Sequence, residues 1–182
     1  MIKAKLESIR RLLKIQGIVS DVIPTSENLS LEFLNVSFGP DPQGRELNMQ
    51  ISISDQDLSK NDEALGIKDK GTEYHLIRFF MPMPFQIKEE TMGEVSRLLL
   101  FLNNSLELPG LELFEPYKSI NYRYVLLSRG STIDKRIVLS LVGMIMMFVE
   151  TLSGTLEEVG SGKLTFTEVI EWAQERPGEG GE

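Results

Sequence analysis

Apolar residues recur three or four positions apart in four segments of the chain, the spacing that covers one face of an α-helix. Residues 3–16 combine such an apolar face with lysine and arginine elsewhere, and residues 89–104 repeat the spacing. Residues 133–152 are apolar on nearly every side, and a last amphipathic segment begins near Phe166. The sequence therefore predicts four helices, of which the third needs more cover than the others.

Alternation of apolar and polar residues, with a period of two, is typical of β-strands with one buried face. It is cleanest at residues 47–53, where Leu47, Met49, Ile51 and Ile53 fall on one face. Further strands are predicted at residues 18–23, 29–38, 74–81, 111–114 and 119–128. Because Pro82 and Pro84 cannot donate ladder hydrogen bonds, we expect the fourth strand to end there or to lie at an edge.

The element order α-β-β-β-β-α-β-β-α-α favours an α+β fold, with a mostly antiparallel sheet and helices packed on one face. We expect one domain over residues 1–176 and a disordered tail at 177–182. Ser131 with Asp134, and Thr165 with Glu168, have the form of capping boxes that open the last two helices. The polar segment 54–73 is predicted as a surface loop or as a loop that holds a helical turn near residues 62–65.

Composition removes several classes of function. The 182 residues carry a net charge of −8, which argues against nucleic-acid binding because such binding relies on a basic surface. The chain has no cysteine, so disulfides, thiol catalysis and cysteine-ligated metals are excluded. It has a single histidine, His75, so a site with several histidine ligands cannot be built.

Three candidate motifs fail on inspection. A calcium loop that starts at Asp55 would place Lys60 and Gly66 where glycine and glutamate are required. Gly162 and Lys163 lack the residues that complete a phosphate-binding loop, so residues 160–163 are interpreted as a turn between helices. No nucleophile-elbow pattern accompanies His75, which favours a structural or a surface role for it. We therefore predict a protein that is not an enzyme, with no catalytic residue, no cofactor and no metal site.

Because charged residues are scattered through the N-terminal segment, we do not expect it to be a signal peptide. The longest apolar run, residues 137–149, has 13 residues and is interrupted by Ser140 and Gly143. A membrane-spanning helix needs about 17–25 residues, so we predict no membrane insertion and a cytoplasmic location.

The third helix carries the only functional candidate that the residues suggest. A helix on one sheet needs a single apolar stripe, whereas this one has two, so it needs cover from the terminal helices or from a second chain. Methionines adapt to irregular contacts, and Ser140 and Gly143 allow a neighbouring backbone to approach closely. The candidate interface comprises Ile137, Ser140, Leu141, Gly143, Met144, Met147 and Phe148. We predict a homodimer, with an unidentified protein as the other candidate partner.

The second half of the chain resembles the bacterial YbjN-like family. The resemblance covers about residues 75–152 and rests on the segments 99–103 (LLFLN), 108–113 (LPGLEL) and 121–126 (NYRYVL), followed by a long helix. It implies a type III secretion chaperone-like fold, often dimeric, that binds protein and has no catalytic residues to carry over. The leading hypothesis is thus a non-catalytic protein-binding or chaperone-like domain. The alternatives are a small-ligand-binding regulatory domain, with a pocket lined by Phe79, Tyr122 and Tyr124, and an enzyme that uses clustered carboxylates.

Overall fold

The structure is a computed structural model that describes residues 2–27, 31–58, 63–64, 66, 74–130 and 133–175. The predicted tail, Ser131 and most of the 54–73 segment lie outside these residues, although Glu63 and Ala64 within that segment are helical. Two compact units share the chain: Met1–Met81 with Arg123–Met146, and Pro82–Tyr122 with Met147–Glu182. The expectation of a single domain stays a prediction.

The described residues form six strands and four helices, which confirms the α+β fold. The strands are β1 Val19–Ile23, β2 Phe33–Pro40, β3 Glu46–Gln56, β4 Tyr74–Gln86, β5 Leu111–Phe114 and β6 Ser119–Arg129. The helices are α1 Ile2–Ile15, α2 Met92–Ser105, α3 Lys135–Gly160 and α4 Phe166–Glu175. The strand order is β1-β2-β3-β4-β6-β5, and the ladders β1–β2, β2–β3, β3–β4 and β5–β6 are antiparallel.

The first unit is built around the alternation that the sequence shows at residues 47–53. Met49, Ile51 and Ile53 of β3 are fully buried, while the residues between them face the other side of the sheet. Helix α1 contacts β1, β2 and β3 and buries Leu6 and Leu13, two residues of its predicted apolar face. Burial of apolar side chains on both elements is the main source of stability in this unit.

Three element boundaries differ from the sequence prediction. Strand β4 lies inside the sheet between β3 and β6 and continues through Pro82 and Pro84, which lie beyond the end of its ladder with β3 at Phe80. Strand β2 begins at Phe33. Helix α3 extends to Gly160 and includes Gly154, since a single glycine weakens a helix by about 1 kcal/mol but does not end it.

The second unit is fastened by side chains that bond to backbone. The Asn103 side chain accepts hydrogen bonds from the N–H groups of Gly110 and Leu111 at 3.0 and 2.9 Å and donates one to the Leu111 carbonyl. The Thr91 hydroxyl, which is nearly buried, donates to the Gly160 carbonyl at 2.8 Å. These bonds fix the loop before β5 and the end of α3.

Helix α4 is held against α2 within the second unit. The Phe166 N–H donates to the Glu94 carboxylate at 2.8 Å, and the Arg97 guanidinium lies 4.4 Å from the centre of the Phe166 ring. Thr165 and Glu168 form the predicted capping box, in which the Thr165 N–H and hydroxyl donate to one Glu168 carboxylate oxygen. These bonds hold the pKa of the Glu168 carboxyl below its ordinary value.

Candidate interaction surface

Helix α3 begins at a single acidic cap. The Asp134 carboxylate accepts hydrogen bonds from the N–H groups of Arg136 and Ile137, at 2.9 and 3.4 Å, and so satisfies two of the donors that a helix start leaves open. At the other end, the N–H groups of Ser161, Gly162 and Lys163 bond to carbonyls of the last turn. Residues 160–163 are therefore the turn between helices that the sequence predicts.

One side of α3 belongs to the core of the protein. The residues of this side are spaced three, four or seven apart, so they lie on one stripe of the helix. The exposed fraction of each is 1% or less: Val138, Val142, Ile145, Val149, Leu156 and Val159. This stripe is the single apolar face that a helix needs in order to pack within its own chain.

A second apolar face of α3 is open to solvent. Ile137 is 48% exposed and Met147 is 53% exposed. Ser140, Thr151 and Gly154 are also exposed, and Met144 is half-buried. We call these six residues the α3 seam. They recur alternately three and four positions apart, the spacing of the contact positions in a helix that pairs lengthwise with another helix.

The backbone at the seam is also open. A methyl group placed on Gly143, which flanks the seam, or on Gly154, within it, would have no described neighbouring atom within 4 Å outside its own helix backbone. Small residues at such positions allow a second helix to approach closely. The seam therefore combines two exposed apolar side chains, Ile137 and Met147, with shallow positions, as an unoccupied contact surface does.

The structure separates the seven predicted interface residues into three groups. Ile137, Ser140, Gly143 and Met147 are exposed, and Met144 and Phe148 are half-buried. Leu141 is only 6% exposed and packs within its own chain. The sequence alone did not separate Leu141 from the others because apolar residues surround it on both sides.

Sequence reasoning missed Thr151 and Gly154, the last two residues of the seam. It placed the end of the helix near residue 152, before Gly154, and it took the candidate interface only from residues 137–148, before Thr151. The signal that would have found them is the heptad spacing, which continues past Met147 in steps of four and three residues. The seam thus spans 18 residues, from Ile137 to Gly154, along one helix.

Charge is distributed unevenly along α3. The helix begins with Lys135 and Arg136, and its last turns carry Glu150, Glu157 and Glu158. A helix has a partial positive charge at its N-terminus and a partial negative charge at its C-terminus, so these side chains oppose the dipole of their own helix. Negative charge from another molecule near the start of α3, and positive charge near its end, would offset this unfavourable interaction with the dipole.

By length and composition α3 is also able to span a membrane, a property that it shares with core helices of soluble proteins. Its most apolar 18-residue segment is 28% buried within the chain. The 13-residue run that the sequence analysis identified is thus part of a longer apolar helix. The low buried share again marks an apolar surface that the described part of the chain leaves uncovered.

The one histidine lies in a polar cluster of the first unit. His75 is fully buried, its Nδ1 lies 2.8 Å from a carboxylate oxygen of Asp55, and its Nε2 contacts the Lys5 amine. An ammonium group can only donate, so Nε2 accepts from Lys5 and the Nδ1–H donates to Asp55. Because β3 and β4 pair Asp55 with His75, the register of the sheet positions the first contact. Both ring nitrogens are satisfied, as a structural histidine requires.

A pocket of 350 Å³ lies in the second unit beside α4. Its lining consists of Thr155, Glu158, Leu164, Glu168, Val169 and Trp172. The three aromatic residues that the sequence analysis suggested for a pocket do not line it. Phe79 and Tyr122 are fully buried, and the Tyr122 hydroxyl donates to the Leu108 carbonyl. The Phe79 and Tyr124 rings are 6.4 Å apart. Those residues are therefore part of the packing.

Among the described residues, no group of three or more histidine, aspartate or glutamate side chains is placed to hold a metal ion. A scan against protein-family models finds no match for this chain, and a search of curated proteins finds no significant relative. The α3 seam is consequently the strongest functional candidate that the described residues offer.

Proposed function

We propose that the protein is a non-catalytic, cytoplasmic protein-binding module of a chaperone-like kind, and that it forms a homodimer through the α3 seam. The observation that carries the proposal is the exposure of Ile137 and Met147 on a helix whose opposite face is fully buried. Exposed apolar surface of this kind marks an interaction site or an aggregation liability, and cover by a second copy removes the liability.

The resemblance of residues 75–152 to the YbjN-like family supports the same proposal, because that family is often dimeric and binds protein. The α+β fold agrees with the resemblance, although many functions share such folds. A second copy is the partner that we propose first, since it is present wherever the seam is exposed. An unidentified protein would then bind to the dimer.

The decisive experiment compares two glutamate variants by size-exclusion chromatography with light scattering. Met144→Glu places a charge in the middle of the seam, where its burial in a dimer would be unfavourable, so we expect the mass of a monomer. Leu100→Glu is the matched control, because Leu100 is a helical residue 73% exposed and lies outside the seam. We expect the control to retain the dimer of the unmodified chain. A dimer in both variants, or a monomer in the unmodified chain, would contradict the proposal.

A small-ligand-binding regulatory function is the second candidate, and the pocket beside α4 is the observation that favours it. Its volume of 350 Å³ lies within the range of ligand sites, and Trp172, its largest lining residue, is 55% exposed. Trp172 is also the only tryptophan in the chain. Titration with candidate metabolites should therefore change its fluorescence saturably if the pocket binds one. No saturable change across a metabolite library would remove this function.

A further inference from the structure

We infer that two copies of the chain pair through their α3 seams in antiparallel orientation, with a twofold axis that passes between Met144 and Met147. The inference rests on the proposed homodimer and adds its geometry. It follows from two independent properties of α3, which are the order of side-chain sizes along the seam and the distribution of charge along the helix.

Side-chain sizes along the seam fit a second seam that runs in the opposite direction. In a paired helix with heptad spacing, the seam residues lie in layers across the contact. With the axis between Met144 and Met147, Ile137 faces the partner's Gly154, Ser140 faces the partner's Thr151, and Met144 faces the partner's Met147. A branched side chain meets a bare backbone in each end layer, two hydroxyl groups meet in the next, and two flexible methionines meet in the middle, so each large isoleucine faces a glycine.

Parallel pairing does not give this fit. Each residue would face its own copy, so that Ile137 would meet the partner's Ile137 and Gly154 the partner's Gly154. The first layer would pack as isoleucine layers of parallel helix pairs do, but the last would hold two glycines and leave voids, which destabilise a packed interface. A twofold axis perpendicular to α3 avoids them, because each layer then occurs twice with its two members exchanged.

Charge favours the same orientation. Antiparallel pairing brings the end of α3 that carries Lys135 and Arg136 to the level of residues 155 and 156 of the partner along the helix axis, one to three residues from the partner's Glu157 and Glu158. At 1.5 Å per residue this offset is about 2–5 Å along the axis, well within the range of electrostatic attraction. Each basic end then faces an acidic end, and the charges that oppose the dipole of their own helix are balanced by the other copy.

The size of the contact sets the expected strength. From Ile137 to Gly154 the seam is about 25 Å long, on a helix about 10 Å wide. Such a contact falls at the lower end of specific interfaces, so we expect a dimer that dissociates at micromolar concentrations. The experiment below is therefore performed well above that range.

The absence of cysteine from the chain allows a direct test by disulfide trapping. Ser140→Cys and Thr151→Cys are purified separately, one of them with an affinity tag, and are oxidised alone and as a mixture. Antiparallel pairing places the two different cysteines in one layer and keeps like cysteines roughly 16 Å apart along the axis, beyond the reach of a disulfide. We expect the mixture to give the mixed disulfide as its main product and each variant alone to give little.

A control and an independent mass measurement separate failure of the geometry from failure of the dimer. Leu100→Cys mixed with Thr151→Cys should give no more product than either alone, because Leu100 lies outside the seam. If each seam variant links to itself, pairing is parallel and the inference is wrong, while the proposed homodimer stands. If sedimentation shows dimers that neither seam cysteine can link, the contact lies elsewhere and the inference is wrong. If the cysteine variants and the unmodified chain are all monomeric, the proposed function fails as well.

Discussion

The His75 cluster and the α3 seam both depart from the usual placement of polar and apolar groups, in opposite directions. His75 is polar and fully buried, whereas Met147 is apolar and 53% exposed. The departure at His75 is resolved within the chain, because Asp55 and Lys5 bond to its two ring nitrogens. At α3, no described residue of the chain covers the exposed apolar side chain of Met147. A buried polar group whose hydrogen bonds are satisfied within the chain has a structural role, whereas an apolar face left uncovered by the described residues is the feature on which the proposed partner depends.

The largest effect on stability is expected from a substitution on the buried face of α3. The effects of substitutions at His75 and at the seam are compared with it. Ile145→Ala removes most of a side chain with 0% exposure and leaves a cavity. Such substitutions lower the free energy of unfolding by about 2–5 kcal/mol. Denaturant unfolding of the two proteins measures the difference. A loss smaller than about 0.5 kcal/mol, the usual range for surface positions, would show that this face is not core.

A smaller effect is expected at the buried histidine. His75→Leu keeps an apolar body in the core but leaves the Asp55 carboxylate and the Lys5 amine without this partner. We expect a loss of about 1–2 kcal/mol in the free energy of unfolding, since the two groups are partly exposed and water can replace some of the interaction. His75→Gln, which keeps a donor and an acceptor, should lose less. If the leucine variant were at least as stable as the unmodified chain, the cluster would have no structural role.

Acid should weaken the start of α4 through its capping box. The bonds from Thr165 hold the pKa of the Glu168 carboxyl below its ordinary value of 4.5, so the folded state favours the charged form. The stabilisation is present above pH 4.5 and is lost as the pH falls through the lower folded value. Unfolding of the unmodified chain and of Glu168→Gln should therefore differ at neutral pH and converge in acid. A difference that stays constant with pH would contradict this account.

The smallest effect on folding is expected at the seam itself. In the monomer Met147→Glu removes no internal contact of consequence, so its free energy of unfolding should change by no more than about 0.5 kcal/mol. Leu100→Glu should behave alike. Both measurements are made at concentrations low enough to keep the chain monomeric. A loss at Met147 as large as that at Ile145 would show that the seam is covered within the chain, and the comparison drawn above would fail.

Much of the fold follows from the sequence because period and burial agree. The strict alternation at residues 47–53 predicts a half-buried strand, and Met49, Ile51 and Ile53 are fully buried in β3. The Thr165 and Glu168 pair predicts the start of α4 through a local hydrogen-bond pattern. Such signals depend only on residues that are close together in the sequence, so they can be recognised without knowledge of the structure.

Other features depend on pairing between distant segments and are not encoded locally. Pro82 and Pro84 suggest the end of a strand, yet β4 continues past them, beyond the last residue that it pairs with β3. The contact of His75 with Lys5 joins residues 70 positions apart and has no local signature. In α3, both apolar faces look alike in the sequence, and only the packing of the chain decides that Val142 is buried and that Met147 is not.

The account depends on the α3 seam being covered by a second copy. Sedimentation equilibrium of the unmodified chain over a range of concentrations, from about 1 to 100 μM, tests this most directly because it spans the affinity expected of a small interface. We predict that the weight-average mass rises from that of one chain to that of two and that it does not rise further. A mass that stays at one chain across the whole range would contradict the account.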